Sequence, residues 1–312
     1  MNGLAVCAII SSIIYVFLYN WTYLTLYLLF LSAYFLLSHL LTPPSASKWN
    51  SAHSKYLISR FSDPDGPEII GSFKVRVNKA LEYINKIREK TGKKVTITHL
   101  VSKASGAIMP DFPDMNGKLA FGLYKPHKTC DVSCLVAIDE GRDLGMITYS
   151  ECDKKTLMNI VEEAETRVKS LKTGDEKEKH KKASGIYKFV PSCLGGILLE
   201  IVAFVTVLLG ISVPSLNLKK HPAGGILISN VGEVGVDLGY APMPTFLRCN
   251  VLIALSKIKD DIVINNGRVE VEKTMNFMIT ADHRFADGTR GAKLENRMKD
   301  MIEDPEKYIP FE

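Results

Sequence analysis

The chain has 312 residues, of which 46% are hydrophobic, and its formal net charge is +5. This length allows one large domain or two ordinary ones. No basic tract is interleaved with aromatic residues, which argues against nucleic acid as a partner, and a mild positive excess suits anionic lipid or a phosphorylated cofactor. Six cysteines without paired spacing give no zinc motif or disulfide framework.

The N-terminal segment, residues 4–42, is apolar and contains no Asp, Glu, Lys or Arg. One continuous helix over residues 4–41 would be roughly 57 Å long, nearly twice the hydrocarbon thickness of about 30 Å. The segment therefore predicts either one strongly tilted transmembrane helix or a helical hairpin. The hairpin is favoured, because Asn20 lies between aromatic residues and suits a bend at headgroup level.

We expect residues 1–42 to anchor the chain in a membrane and residues 43–67, which begin with prolines and serines, to form a linker. The first positive charges after the apolar run are Lys48, Lys55 and Arg60. By the positive-inside bias they place the remainder of the chain on the cytosolic side. The sequence does not specify which organelle carries the membrane.

Helical periodicity follows the linker. Val77, Leu81, Ile84 and Ile87 predict an amphipathic helix that stops at Gly92, and a second helix is expected from Thr98 to Pro110. We therefore expect two helices before any strand-rich region. Residues 132–138 then predict a strand, and Asp153 or Thr156 is expected to cap a long helix with an apolar stripe from Leu157 to Leu171.

The C-terminal third alternates strands and turns. Strands are predicted at residues 225–230 and 251–255, and Asn265-Asn266-Gly267 predicts a hairpin that joins residues 262–264 to residues 269–279. A final helix carries Leu294, Met298 and Met301. Because helices alternate with both hairpin and crossover strands, we expect an α/β fold, a two-layer sandwich with a mixed sheet.

A second apolar stretch interrupts this pattern, and we assign it as an insert over residues 186–218. Residues 189–218 contain a single charge, Glu200. The stretch is long enough to span a membrane, but lysines at both ends argue against a single crossing. Glu200 is either a functional carboxylate within the membrane or a side chain near a polar surface, and both interpretations stay open.

Residues 280–291 read TADHRFADGTRG, a polar cluster directly after the last strand. A histidine that acts as a general base needs a held orientation and an unprotonated nitrogen near neutral pH. Asp287 could order the loop or the helix start, and Gly288 permits a backbone conformation closed to other residues. The same spacing also fits a surface loop in which Asp287 caps the next helix.

The DHRFADG segment resembles the signature of the dihydrolipoamide acyltransferase core domain of 2-oxoacid dehydrogenase complexes, a family that shares its fold with chloramphenicol acetyltransferase. Four further segments resemble the same family in the same order: residues 94–107, residues 113–116, residues 132–148 followed by the opening of the long helix, and residues 224–232. Together these matches cover about residues 68–305. The resemblance implies that residues 68–312 form an acyltransferase catalytic domain that the insert interrupts.

The resemblance also implies roles for particular residues. His283 matches the base that activates an acceptor thiol, hydroxyl or amine to attack an acyl-CoA thioester, and Ser229 matches the hydroxyl that donates to the oxyanion. Asp287 completes the candidate catalytic set, and Arg284, Gly288 and Asn230 belong to the structural part of the motifs. Acyl-CoA is then a co-substrate, with no bound cofactor or metal. The family's catalytic unit is a homotrimer in which His from one subunit faces Ser from its neighbour.

Two features depart from the family pattern. We find no lipoyl domain or peripheral-subunit-binding segment, and the apolar insert falls inside the catalytic domain. Since the flanking motifs must fold together, we expect the insert to leave and return on one side of the membrane. It would be a re-entrant hairpin, bent at Gly195-Gly196 or near Glu200, or a helix lying on the bilayer.

The sequence thus predicts a membrane-anchored, CoA-dependent acyltransferase with a hydrophobic acceptor, for example a lipid, or a hydrophobic acyl chain. A catalytically inactive trimeric membrane scaffold of the same fold is the alternative. A membrane-tethered core of a dehydrogenase complex is a third reading, which requires a separate lipoyl protein.

Overall fold

The computed structural model describes residues 10–16, 18, 21–41, 68–120, 123–138, 143–174, 190, 192–216, 218–265 and 267–311. Residues 10–16 are helical, and helix α1 is Trp21–Leu41. Across these ranges, no helix combines the length and apolar character that a membrane crossing requires. The transmembrane anchor predicted for residues 1–42 is therefore not supported by the described helices. The expected break at Asn20 and the linker at residues 43–67 lie outside the described residues.

The described strands form one large mixed sheet and one small ribbon. The strands are β1 Glu68–Arg76, β2 Gly117–Ala120, β3 Leu123–Pro126, β4 Val132–Ile138, β5 Asp143–Tyr149, β6 Ile226–Asn230, β7 Val251–Leu255, β8 Lys259–Asn265 and β9 Arg268–Asp282. The sheet has the order β1-β9-β7-β6-β4-β5, with β8 beside β9, and β2 pairs with β3 separately. The pairs β4-β6 and β6-β7 are parallel and the remaining pairs are antiparallel. The predicted mixed sheet is confirmed.

Helices cover one face of the sheet. The helices after α1 are α2 Asn78–Thr91, α3 Ile97–Ile108, α4 Leu157–Thr173, α5 Ser192–Ala203, α6 Gly288–Glu303 and α7 Pro305–Tyr308. The four that cover this face are α2, α3, α4 and α6. Leu100 of α3, Ile160 of α4 and Met298 of α6 belong to the same buried core as Ile253 and Phe277 of the sheet. This helix layer on a sheet is the predicted two-layer α/β arrangement.

The loop between β6 and β7 covers the opposite face of the sheet. Leu252 and Ala254 of β7 alternate with the residues that face the helices, and they pack with Met243 and Leu247 in a second buried cluster. Strands buried on both faces read as continuous apolar runs, which explains the absence of alternation in β6 and β7.

The first strand was not predicted. β1 pairs along its whole length with β9, from Glu68 opposite Asp282 to Arg76 opposite Thr274. Only Phe73 and Val75 of β1 are buried, and Gly71 and Ser72 interrupt its apolar pattern. The expectation that two helices precede any strand is wrong, because this edge strand is specified by its partner and carries little local signal.

Helix ends follow local capping chemistry. The α2 helix ends at Gly92, which adopts a left-handed φ of 66° as expected. The α3 helix is capped by Thr96, whose hydroxyl accepts the His99 N–H, so the predicted start at Thr98 is late. Of the two candidates for α4, Thr156 forms the cap and a reciprocal capping box with Asn159.

The insert packs onto the catalytic domain. Leu199, Ala203 and Val207 are buried, and α5 continues as a π-helical segment, Phe204–Leu208. Gly195 and Gly196 lie inside α5, so the bend predicted there is wrong. The chain leaves the helical segment at Gly210, which has a left-handed φ of 69°. Helix formation through both glycines is possible because neighbouring apolar residues are fixed by packing.

Two polar contacts fix the insert to the domain. Glu200 lies within α5, and Arg248 donates to its carboxylate at 2.8 Å, with the Glu200 side chain 16% exposed. The ammonium of Lys118 donates to the carbonyls of Val207 and Leu208 at 2.6 and 3.0 Å. Glu200 is therefore an ion-pair partner on the domain surface, which agrees with the second of the two interpretations left open for it.

Gly224 is held where a side chain does not fit. Its φ is +64°, and a Cβ there would lie 2.3 Å from the carbonyl oxygen of Asp131. We expect Gly224→Ala to lower the free energy of unfolding by about 1–3 kcal/mol from backbone strain alone. Denaturant unfolding measures this loss. Gly71→Ala is the matched control, since a Cβ at Gly71 has nothing within 4 Å, and an equal effect of the two substitutions would contradict the prediction.

Candidate active site

His283 lies in a tight turn at the end of β9. The Asp282 carbonyl accepts the backbone N–H groups of Phe285 and Ala286 at 3.0 and 3.2 Å, which closes the turn. Ala286 is buried and fixes the turn to the core, whereas the His283 side chain is exposed. The imidazole is thus presented to the outside from a backbone that is held at both ends.

An ion pair flanks the histidine. The Arg284 guanidinium donates to both carboxylate oxygens of Asp282, at 3.0 Å from Nε and 2.6 Å from Nη2. The Arg284 N–H also donates to Asp282 at 2.9 Å. These hydrogen bonds raise the pKa of Arg284. Because a two-pronged pair of this kind is geometrically specific, it fixes the backbone on both sides of His283.

Asp287 caps helix α6. Its Oδ1 accepts the Arg290 N–H at 2.8 Å, which satisfies one of the free donors at the helix start. Gly288 is the first residue of α6 and lies outside the left-handed region, so the structure does not use the special backbone conformation that a glycine permits. The glycine is a helical residue because Asp287, just before it, supplies the cap.

We expect Asp287→Ala to lower the free energy of unfolding by about 1 kcal/mol, the usual effect of losing a helix cap. Asp287→Asn should keep that stability, since an asparagine oxygen accepts the same N–H. Thermal or denaturant unfolding of the two variants checks the difference. Equal destabilisation by both substitutions would mean that the carboxylate charge matters and the cap does not.

Ser229 lies near the end of β6, between the parallel neighbours β4 and β7. Its side chain is partly buried. The next residue, Asn230, accepts the Gly232 N–H at 3.2 Å and donates to the Thr98 hydroxyl at 3.0 Å. This contact ties the end of β6 to helix α3 and thereby fixes the strand end that carries Ser229.

The structure does not bring Ser229 and His283 together within one chain. Ser229 is opposite Ala254 in β7, and Ala254 is opposite Met278 in β9. His283 follows Met278 by five residues, so the two side chains are roughly 15 Å apart along the strands and roughly 10 Å apart across them. A base and an oxyanion donor must both lie within about 3 Å of the reacting group. A single subunit therefore holds the two candidate residues apart, as two candidate half-sites.

Asn250 connects the start of β2 to Asp282 at the end of the sheet that carries His283. No sequence motif identifies this residue. Its side chain donates to the carbonyls of Met115 and Gly117, both at 2.7 Å, and its own carbonyl accepts the Asp282 N–H at 2.9 Å. It is buried at the start of a strand. The one available signal was a polar residue placed immediately before an apolar run.

Two other histidines differ from His283 in their surroundings. Burial lowers the pKa of His99 to about 4, and burial together with His127 and Lys118 lowers the pKa of His221 to about 4. A base with so low a pKa accepts protons poorly near neutral pH. Among the described residues, no group of three His, Cys, Asp or Glu side chains could hold a metal ion.

A family model for the 2-oxoacid dehydrogenases acyltransferase (catalytic domain) matches residues 62–186 and 214–309. The chain belongs to this family. The unmatched interval, residues 187–213, falls within the predicted insert. Ser229 and His283 both lie inside the matched parts.

Curated relatives agree with this assignment. The dihydrolipoyllysine-residue acetyltransferase component of the pyruvate dehydrogenase complex from Rhizobium meliloti is 25% identical over 221 residues, which cover 70% of this chain and 39% of the relative. The succinyltransferase component of the 2-oxoglutarate dehydrogenase complex from Rickettsia typhi is 31% identical over 94 residues, 30% of this chain and 23% of the relative. The chain thus spans well under half the length of these two relatives.

Solved structures show the same fold. A probable dihydrolipoamide acetyltransferase from Listeria monocytogenes superposes with a TM-score of 0.58 at 16% identity, over 80% of this chain and 89% of that one. The dihydrolipoamide acetyltransferase of Azotobacter vinelandii superposes with a TM-score of 0.57 at 16% identity, over 83% and 88%. The expectation of the acyltransferase core fold is confirmed.

Proposed function

We propose that this protein is a CoA-dependent acyltransferase whose active site forms between subunits. His283 of one subunit acts as the general base on an acceptor thiol, hydroxyl or amine, and Ser229 of the neighbour donates to the oxyanion of the acyl-CoA thioester. The main support is the turn at residues 282–287, which exposes the His283 imidazole. The Asp282–Arg284 ion pair and the Asp287 cap hold the backbone of this turn.

Residue order supports these roles. In the Azotobacter vinelandii enzyme, a serine, a histidine and an asparagine have been investigated for their role in catalysis, with 52 residues from the serine to the histidine and four from the histidine to the asparagine. Here 54 residues separate Ser229 from His283 (283 minus 229), and Asp287 lies four residues after His283. This matching order supports a role for Asp287 like that of the asparagine, in which Asp287, as the cap of α6, positions the histidine.

A homotrimer would bring the half-sites together, and the β8-β9 hairpin offers a contact surface for it. Ile262 pairs with Val271 and Ile264 pairs with Val269 across the two strands, so all four side chains share one face. They are 68% to 78% exposed. Exposed apolar faces of this kind are typical of subunit contacts.

We expect Ile264→Asp to shift the protein from trimer to monomer at micromolar concentration, because a carboxylate would be buried in an apolar contact. Light scattering coupled to size exclusion measures the mass in detergent. Glu270→Gln, on the opposite face of the same hairpin, is the matched control and should stay trimeric. A trimer that survives Ile264→Asp places the contact elsewhere.

We also propose that residues 1–42 anchor the enzyme in a membrane with the catalytic domain on the cytosolic side, so that a lipidic acceptor is within reach. The support is the sequence, with no Asp, Glu, Lys or Arg before Lys48. Vesicle flotation of the full chain tests the anchor.

Acyl transfer is tested with the trimeric full chain, a series of acyl-CoA lengths and dihydrolipoamide as a thiol acceptor. Thioester product above the uncatalysed rate supports the proposal. A trimer that produces none with thiol, hydroxyl or amine acceptors is the inactive scaffold.

A further inference from the structure

The apolar insert has two sides once it packs on the domain. Its inward side holds Leu199, Ala203 and Val207. Six large aliphatic side chains of the insert are instead 38% to 68% exposed: Ile197, Leu198, Ile201, Leu209, Ile211 and Leu216. We call these six residues the insert apolar face. The family model does not match residues 187–213, so the shared fold gives no reason for most of this face.

Three exposed lysines lie beside the insert. Lys219 and Lys220 are exposed and follow the insert directly. Lys125 is exposed and pairs across β2-β3 with Lys118, the residue that holds the insert carbonyls. None of the Lys125, Lys219 and Lys220 ammonium groups forms an ion pair with a carboxylate among the described residues. We call these three residues the lysine rim.

Carboxylates do not offset the rim. Glu200 is the acidic residue of α5, and it is already paired with Arg248. From residue 201 to residue 218 the insert contains no charged side chain. The insert therefore presents exposed apolar side chains next to positive charges that no carboxylate of the insert offsets.

We infer that the insert apolar face docks on the surface of an anionic lipid bilayer, with the lysine rim at the headgroups. Aliphatic side chains enter the interface while cations attract anionic lipid, the combination that holds peripheral proteins on membranes. A second copy of the chain fits this surface poorly, because two positive rims would face each other. Docking is separate from the proposed acyl transfer, because membrane binding requires no catalytic turnover.

The docking would orient the catalytic end of the domain. Asn250 links Asp282, next to His283, to Gly117, and the adjacent Lys118 binds the insert carbonyls. The insert is thus attached at the sheet end that carries His283. Docking brings that end towards the lipid interface, where acyl chains and lipidic acceptors are concentrated.

The test uses the full chain bound to vesicles, with a nitrobenzoxadiazole label at Ile211→Cys and a lipid-attached spin-label quencher. Lys169→Cys, exposed on α4, is the matched control, and the labelled wild type corrects for native cysteines. We compare phosphatidylcholine vesicles with vesicles that also contain phosphatidylserine. Flotation reports separately whether the chain is on the vesicle at all.

We expect the label at position 211 to be quenched by lipid and the label at position 169 to stay in water. Each lysine near an anionic surface contributes about 1 kcal/mol, so Lys219→Gln with Lys220→Gln should lower the ratio of docked to undocked insert about 30-fold. His283→Ala should dock like wild type, so loss of catalysis and loss of docking are distinguishable.

Three results would overturn the inference. Equal, water-like signals at positions 211 and 169 would show that the insert faces solvent. Equal quenching with and without phosphatidylserine would remove the role of the lysine rim. A label protected from both the lipid quencher and aqueous iodide would show that protein, such as a second copy, covers the face.

Discussion

The His283→Ala enzyme should transfer acyl groups about 10²- to 10⁴-fold more slowly than wild type, the usual contribution of a positioned general base. The expected cause is loss of proton acceptance from the acceptor thiol, because the turn that carries residue 283 is held by neighbours that the substitution leaves intact. Asp282 and Arg284 keep their pair, and Asp287 keeps its cap. Initial rates at saturating acyl-CoA measure the effect.

A control on the same segment separates catalysis from folding. Thr289 is exposed in the first turn of α6, and Thr289→Ala should keep the wild-type rate. Both variants should unfold at the wild-type temperature. If His283→Ala transfers acyl groups as fast as wild type, the measured turnover does not use this imidazole and the assignment of the base is wrong.

Local signals in the sequence predicted much of the fold. The strands on both sides of the Asn265-to-Gly267 turn pair as expected, and Gly267 has the left-handed φ of 79° that such hairpins require. The α4 stripe and its Thr156 cap were also predictable, since periodicity and capping depend on neighbours within one or two turns.

Features that depend on distant partners were not predictable. β1 carries two buried side chains and forms because β9 is available beside it. Asn250 contacts residues more than 130 positions away in sequence. Hydropathy predicts that the insert is a re-entrant hairpin or a helix lying on the bilayer, but it does not predict that one side of the insert packs on the domain through Glu200 and Val207.

The motifs located the candidate site residues without their arrangement. DHRFADG and the segment around Ser229 identify the residue types, but the separation of the half-sites follows from strand register. The pair β6-β7 is parallel and the pair β7-β9 is antiparallel, so Ser229 and His283 lie towards opposite ends of the sheet. Register is a non-local property that motif spacing does not encode.

This separation has a direct consequence for subunits that carry single defects. Alone, Ser229→Ala should lower the rate about 10²- to 10³-fold through the lost oxyanion donor, and His283→Ala should lower it as described. Co-expression in equal amounts should restore activity, because an intact His283 from one chain can face an intact Ser229 from another. With random mixing, the chain that contributes residue 283 keeps the histidine at about half of the boundaries in a cyclic trimer. Its neighbour keeps Ser229 at about half of those boundaries, so about a quarter of all boundaries hold an intact pair.

Mixing wild type with the Ser229→Ala, His283→Ala double variant provides the matched control. If the site forms between chains, this mixture also keeps about a quarter of its sites, since both partners at a boundary must be wild type. If each chain held a complete site, the same mixture would keep about half, and the two single variants would restore nothing. Active-site titration of the mixed trimers therefore decides between the two arrangements, and recovery in the single-variant mixture is the result that requires Ser229 and His283 to meet across a subunit boundary.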